Sequence, residues 1–212
     1  MAATRREFLA GRQRAALGLL AMAISSGCAS LAPAEPPLHV YTGRFAASVD
    51  RGGDRQAISG RFTLAMHPGR TTLDLASPLG NTLARVETDA AGATLTAPKA
   101  DGTLATWKGD SPEALAEAAL GFGLPVSGLA DWIAGRAAPG RPARLSPESG
   151  PAKRIEQDGW VIVIEERFED TGAPRRLSLD RVADTAAGTA LRLRFALEPL
   201  PNAPGVPAPV PQ

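Results

Sequence analysis

The feature that most constrains this chain is strict alternation. Residues 191–197 read Leu-Arg-Leu-Arg-Phe-Ala-Leu, which sets Leu191, Leu193, Phe195 and Leu197 on one side and Arg192 and Arg194 on the other. A period of two fits a β-strand with one buried and one wet face, and fits no helix. The same period recurs along the sequence. Over 39–48, Tyr41, Gly43, Phe45 and Ala47 oppose Thr42, Arg44 and Ala46. Over 59–66, Phe62, Leu64 and Met66 share a face, and over 71–76 Leu73 and Leu75 oppose Thr72 and Asp74. Shorter strands are expected over 82–88, 93–97 and 103–107. Gly52-Gly53-Asp54, Pro68-Gly69, Ser77-Pro78-Leu79-Gly80 and Ala100-Asp101-Gly102 supply turns between them. Short strands joined by turns describe an antiparallel meander.

The pattern changes period midway. Asp110-Ser111-Pro112-Glu113 is a helix start, with a polar cap followed by proline in the first turn. Leu115, Ala118, Ala119 and Phe122 then recur at helical spacing, and Gly121 or Gly123 ends the segment. A second short helix is expected over 127–134, with Leu129, Trp132 and Ile133 on one face and Gly135 as its stop. Residues 136–147, rich in proline and arginine, are expected to form a loop. Strands return over 152–157, 160–168, 175–181 and 189–197. Residues 160–164 are apolar on both faces and are expected to be covered on both sides. The fold class is therefore mainly β with helices: a strongly bent antiparallel sheet or open barrel, with the helices placed to plug one face.

The N-terminus follows different rules. Residues 1–14 are basic, residues 15–24 form an apolar run of ten, and Ser25-Ser26-Gly27-Cys28 follows. A run of ten is about half of what spans a bilayer. The order basic, apolar, small is that of an export signal. Cys28 at its end resembles a lipobox cysteine, which would become acylated after cleavage before it; the other reading is ordinary secretory cleavage beside an incidental cysteine. Ser25 departs from the leucine preferred three positions before the cysteine. Thr4-Arg5-Arg6-Glu7-Phe8-Leu9 resembles a twin-arginine signal and reads equally as a basic n-region of the general pathway. Ala29 and Ser30 carry no aspartate of the kind that retains lipoproteins in the inner membrane, which favours the outer membrane. The expected organisation is a signal peptide over 1–27, an anchor and Pro/Ala-rich tether over 28–38, a β domain over 39–198 and a disordered tail over 199–212, where six of 14 residues are proline.

Charge and side-chain inventory exclude several functions. The whole chain has net charge +1, but residues 29–212 hold 19 basic and 21 acidic side chains. That balance leaves no footprint for nucleic acid. His39 and His67 are too few for a metal site, and Asp74, Asp110 and Glu113 form no acid–base pair. No cofactor and no catalytic constellation is expected. Arg44, Arg61, Arg85, Arg154, Arg192 and Arg194 fall on the polar strand faces, as partners for an acidic protein, as partners for anionic lipid heads, or simply as a solvated surface.

Several segments in fixed order carry a family resemblance. They are the lipobox cysteine, Gly43-Arg44-Phe45, Gly60-Arg61-Phe62, Leu73-Asp74-Leu75-Ala76-Ser77-Pro78-Leu79-Gly80-Asn81-Thr82, and Leu124-Pro125-Val126 followed by Leu129, Trp132-Ile133 and Gly135, with Trp160 opening a late strand. Over residues 38–198 the chain resembles the LolB family of outer-membrane lipoprotein receptors, which accept lipoproteins from the periplasmic carrier and place them in the outer membrane. The resemblance implies an unclosed antiparallel half-barrel of about eleven strands with helices lining its concave face. It implies an apolar cavity for the acyl chains of client lipoproteins, a LolA-like carrier as donor, outer-membrane lipids as the destination, and a monomer facing the periplasm. Candidates for the cavity are Phe62, Leu64, Leu73, Leu75, Leu83, Leu115, Phe122, Leu129 and Trp132, although each serves equally well as ordinary core. The resemblance also implies a loop with an exposed leucine needed for membrane insertion. Its position matches Leu79, bracketed by Pro78 and Gly80; from the turn alone, a leucine folded back onto the core is equally open. A structural envelope lipoprotein that binds only protein is the alternative reading.

Overall fold

A computed structural model describes residues 36–51, 53–181 and 189–199. The export signal, Cys28 and most of the tether and tail lie outside these residues. Eleven strands form one sheet: β1 (His39–Arg51), β2 (Asp54–His67), β3 (Arg70–Ala76), β4 (Thr82–Asp89), β5 (Gly92–Pro98), β6 (Leu104–Gly109), β7 (Ala143–Ser146), β8 (Arg154–Gln157), β9 (Trp160–Arg167), β10 (Pro174–Arg181) and β11 (Thr189–Leu197). Their spatial order is β6-β5-β4-β3-β2-β1-β11-β10-β9-β8-β7, and every neighbour is antiparallel. The first and last strands pair in the middle, so the free edges are β6 and β7 and the barrel stays open. Two helices, α1 (Pro112–Leu120) and α2 (Val126–Ile133), lie on the chain segment that joins those two edges.

Alternation decides which face is buried. Phe45, Ala47 and Val49 of β1, Phe62 and Leu64 of β2, Leu73 and Leu75 of β3, and Leu191, Leu193 and Phe195 of β11 all point into one core. The arginines between them point out. Where β1 meets β2, Gly43 sits opposite Phe62 and Gly60 sits opposite Phe45. A Cβ on Gly43 would overlap the carbonyl oxygen of Ala196, and one on Gly60 that of Ala76. Each missing side chain thus lets a neighbouring strand curl inward and leaves room for the facing ring. Phe62 then meets Phe195 edge to face, with centroids 5.2 Å apart and planes at 85°.

The helices are set by local chemistry. Ser111 caps α1 by accepting from the Ala114 amide at 3.2 Å, with Pro112 in the first turn, and Gly121 ends it in the left-handed region. The helix α2 has no cap of its own. Instead the Glu113 carboxylate of α1 accepts from the Ser127 amide at 2.9 Å, placing a negative charge at the start of α2. Trp132 of α2 donates its indole N–H to Gln157 Oε1 at 2.8 Å, and its ring lies 6.4 Å from that of Trp160. Gln157 is buried and fully engaged: Oε1 also accepts from the Ala138 amide at 2.8 Å, and Nε2 donates to the carbonyls of Ala138 and Arg141 at 2.9 and 3.2 Å.

Three local expectations change. The segment 136–147 contains strand β7, fully exposed and paired to β8, where the arginine and proline content had pointed to loop. Strand β2 begins at Asp54, because its first half pairs with β1 and needs no buried face of its own. Strand β9 is covered on one side only: Trp160, Ile162 and Ile164 are buried, while Val161 and Val163 are half-exposed. Replacing Gln157 with leucine should lower stability by about 2–4 kcal/mol in denaturant unfolding, since two buried N–H groups lose their acceptor.

Candidate functional site: an apolar concave face and an exposed turn

All nine candidate cavity residues converge on one cluster. Phe62, Leu64, Leu73, Leu75, Phe122, Leu129 and Trp132 are buried, and Leu83 and Leu115 are partly buried against them. Phe45, Val86, Leu95, Ile133, Leu177 and Leu179 belong to the same surface. Among the described residues the buried polar side chains are Gln157 and Ser178, and no buried side-chain nitrogen or oxygen lacks a partner. Apart from the Gln157 carboxamide, which bonds Trp132, and Ser178, the buried side chains of this face are apolar.

The helices fill that face here. Leu129 and Ile133 of α2 are 0% exposed, as is Leu64 beneath. By contrast α1 packs on β5 and β6 while fully burying only Pro112 and Ala116. Leu115, Ala119 and Leu120 of α1 are partly buried against the same cluster, so both helices add apolar side chains to the cover of this face. At one end of the α2 helix a cleft of about 250 Å³ is lined by Tyr41, Ile133, Phe168, Pro174 and Leu197.

The β3–β4 turn is built to present a side chain. The Ser77 amide donates to the Asn81 carbonyl at 2.7 Å, Gly80 N donates to the Ser77 carbonyl at 2.9 Å, and Asn81 N donates to Ser77 Oγ at 3.1 Å. Gly80 adopts φ +89°, which a residue with a Cβ resists. These bonds hold Pro78 and Leu79 away from the core, and Leu79 is 90% exposed. A leucine folded back is not what the structure contains. Leu79 is more exposed than Leu38, Ile58, Leu104 or Leu145, the other large apolar side chains at the described surface.

The convex face is charged and mostly self-neutralised. Arg85 bonds Asp74, Arg192 bonds Asp180, Arg154 bonds Glu156 and Arg176 bonds Glu166. The hydrogen bonds to Asp74 and Asp180 push the pKa values of Arg85 and Arg192 above the usual arginine range. In the β5–β6 turn, the Thr103 hydroxyl and amide hold the Asp101 carboxyl below its usual range. Sequence reasoning missed the part played by Gln157, because an isolated glutamine carries no pattern. It also missed the Ser77 clamp, whose signal was a serine four residues before Asn81.

The family model for outer membrane lipoprotein LolB matches residues 39–198. A Bordetella petrii protein named outer-membrane lipoprotein LolB is 42% identical over 182 residues, 82% of this chain and 87% of its own length. Proteins of the same name from Cupriavidus pinatubonensis and Bordetella pertussis are 36% and 38% identical, over 89% and 76% of this chain and 95% and 82% of theirs. Two solved structures are more distantly similar. A DUF1329 family protein from Desulfovibrio piger aligns at TM-score 0.45 and 9% identity, covering 79% of this chain and 87% of that one. A LolA superfamily protein from Nitrosomonas europaea aligns at TM-score 0.40 and 11% identity, covering 79% and 89%.

Burial and exposure make opposite predictions for the two parts of the site. Phe62→Ala should cost about 3–5 kcal/mol in chemical denaturation. Leu79→Glu should leave stability within about 0.5 kcal/mol, because no protein atoms depend on that side chain.

Proposed function

The chain belongs to the LolB family of outer-membrane lipoproteins, and on that premise we propose that its concave face receives the acyl chains of lipoproteins from a LolA-like periplasmic carrier and releases them into the outer membrane. The observation that carries this reading is the continuous apolar concave face, roofed by helices on the segment that joins the two free edges of the sheet. Phe62, Leu64, Leu73 and Leu75 form its floor, Leu83 and Phe122 its flanks, and Leu115, Leu129 and Trp132 its roof. An acyl chain enters by taking the place of helix side chains. Each methylene moved from water gains about 0.8 kcal/mol, so a long chain gains on the order of 10 kcal/mol. Lifting Leu129, Trp132 and Ile133 off the sheet costs about 1.5–3 kcal/mol for each side chain, which the incoming hydrocarbon offsets. Transfer needs no bond-breaking step: clients move from weaker to stronger acyl-chain binding, and one copy of the protein suffices.

In the same reading Leu79 is the delivery tip. A leucine carries no polar head, so an exposed one partitions directly into lipid when the turn meets a bilayer. Pro78 and the Ser77 hydrogen bonds keep the tip stiff, and Gly80 permits the turn. Cys28 carries the acyl anchor, with residues 29–38 as a tether that ends where the Leu38 amide donates to the Met66 carbonyl at 2.7 Å.

The reading is tested by mixing the chain with carrier that holds a labelled acylated lipoprotein. The label should move onto this protein, and Leu79→Glu should keep that step while slowing delivery to liposomes. No movement of client would refute the receptor role, and unchanged delivery would refute the tip. Mass analysis of the mature N-terminus should find Cys28 acylated; a free thiol there would remove the anchor.

A further inference from the structure

On the convex face, Arg44 of β1 and Arg61 of β2 stand directly opposite each other in the antiparallel register. Both are exposed. Cross-strand partners sit with Cβ atoms about 5 Å apart, and like charges in that position destabilise a sheet. Elsewhere on this face a carboxylate on the next strand, or two residues along the same one, relieves the charge, as Asp74 does for Arg85 and Asp180 for Arg192. Here Asp74 is engaged by Arg85, and Glu198, which accepts from the Thr42 hydroxyl at 2.9 Å, bonds no arginine among the described residues. Among the described residues neither Arg44 nor Arg61 lies in an ion pair. Arg194, also outside any such pair, stands opposite Ala46, the residue two places along β1 from Arg44. Positive charge is thus concentrated where β11, β1 and β2 run side by side.

A second feature lies at the same place. Strand β3 ends at Ala76 opposite Arg61, so β2 runs on past it with an open edge. A cleft of about 400 Å³ opens there, lined by Arg44, Arg61, Ser59, Gly60, Phe45 and Pro78. Pro78 belongs to the turn that carries Leu79. Two guanidinium groups outside any ion pair and a hydroxyl therefore share a cleft with the exposed leucine turn. Guanidinium forks match phosphate oxygens, and Leu79 on the adjoining turn supplies the apolar contact beside them.

We propose that Arg44 and Arg61 bind the phosphate of an anionic phospholipid at the bilayer surface, so that headgroup recognition accompanies insertion of Leu79. This rests on the reading of Leu79 as a membrane-touching tip. A basic side chain near an anionic membrane surface strengthens binding about five-fold, so the pair supplies a preference of roughly 25-fold for anionic over zwitterionic lipid. The preference falls as salt rises.

The test floats the full chain carrying Cys28→Ala, which removes the acylation site from every arm. Vesicles are of phosphatidylcholine alone or of phosphatidylcholine with phosphatidylglycerol. The unsubstituted surface should prefer the second by roughly 25-fold, and Arg44→Gln with Arg61→Gln should erase most of that preference. Thermal stability of this double variant should equal or exceed that of its parent, because a like-charge pair is gone. Arg70→Gln with Arg144→Gln removes the same charge from exposed positions outside the cleft and should keep the preference. A preference that survives Arg44→Gln with Arg61→Gln, or that falls equally in the control pair, would overturn the proposal. So would binding of inorganic phosphate alone that is lost in Arg44→Gln with Arg61→Gln while the vesicles show no lipid preference, which would make the site one for the free anion. Leu79→Gln, which adds no charge, separates the two readings: weaker binding to both vesicle types with the lipid preference intact supports the tip. Unchanged binding in that variant would remove the tip while leaving the arginine pair standing.

Discussion

Nine residue pairs join β1 to β11, from Gly43 opposite Leu197 to Arg51 opposite Thr189. That pairing brings the two ends of the domain into the middle of its sheet and sends the middle of its sequence to the free edges. Had β6 also paired with β7, the sheet would have closed into a barrel. Because the chain spends residues 110–142 passing from β6 to β7, the helices lie at the opening rather than outside a closed wall. The apolar concave face is thereby covered by a part of the chain that contributes no strand to the sheet.

The two helices divide that role unequally. The α2 helix is clamped by Gln157, by the Trp132–Trp160 contact and by the carboxylate of Glu113. The α1 helix fully buries only Pro112 and Ala116, packs Leu115 and Leu120 partly against the core, and is linked to α2 through that same glutamate. The exposed turn at Leu79 belongs to the β3–β4 connection, and its hydrogen bonds are internal, so its shape does not depend on whether the roof is on or off.

Much of this was legible in the sequence because alternation leaves little freedom. The inward positions of Phe45, Phe62, Leu73 and Phe195 follow from a period of two, and Ser111-Pro112 with Gly121 marks the bounds of α1. Leu79 was visible as a turn residue, but whether it faced out depended on the Ser77 hydrogen bonds, which no local pattern announces. Three features needed the register. Gly43 and Gly60 make room for rings on neighbouring strands, Arg44 opposes Arg61 across a strand boundary, and Gln157 binds groups at least 16 residues away in the chain. Strand β7 escaped notice because four exposed residues with no buried face carry no periodic signal.

The central claim is that hydrocarbon occupies the concave face by displacing the helices. Methyl spectra of the protein recorded with a nitroxide-labelled long-chain acyl ligand address it most directly. The account predicts that broadening concentrates on Leu64, Leu73, Leu75 and Leu129, while methyls of the convex face such as Val161 and Val163 stay sharp. Broadening confined to exposed leucines, with the concave-face methyls unchanged, would contradict it.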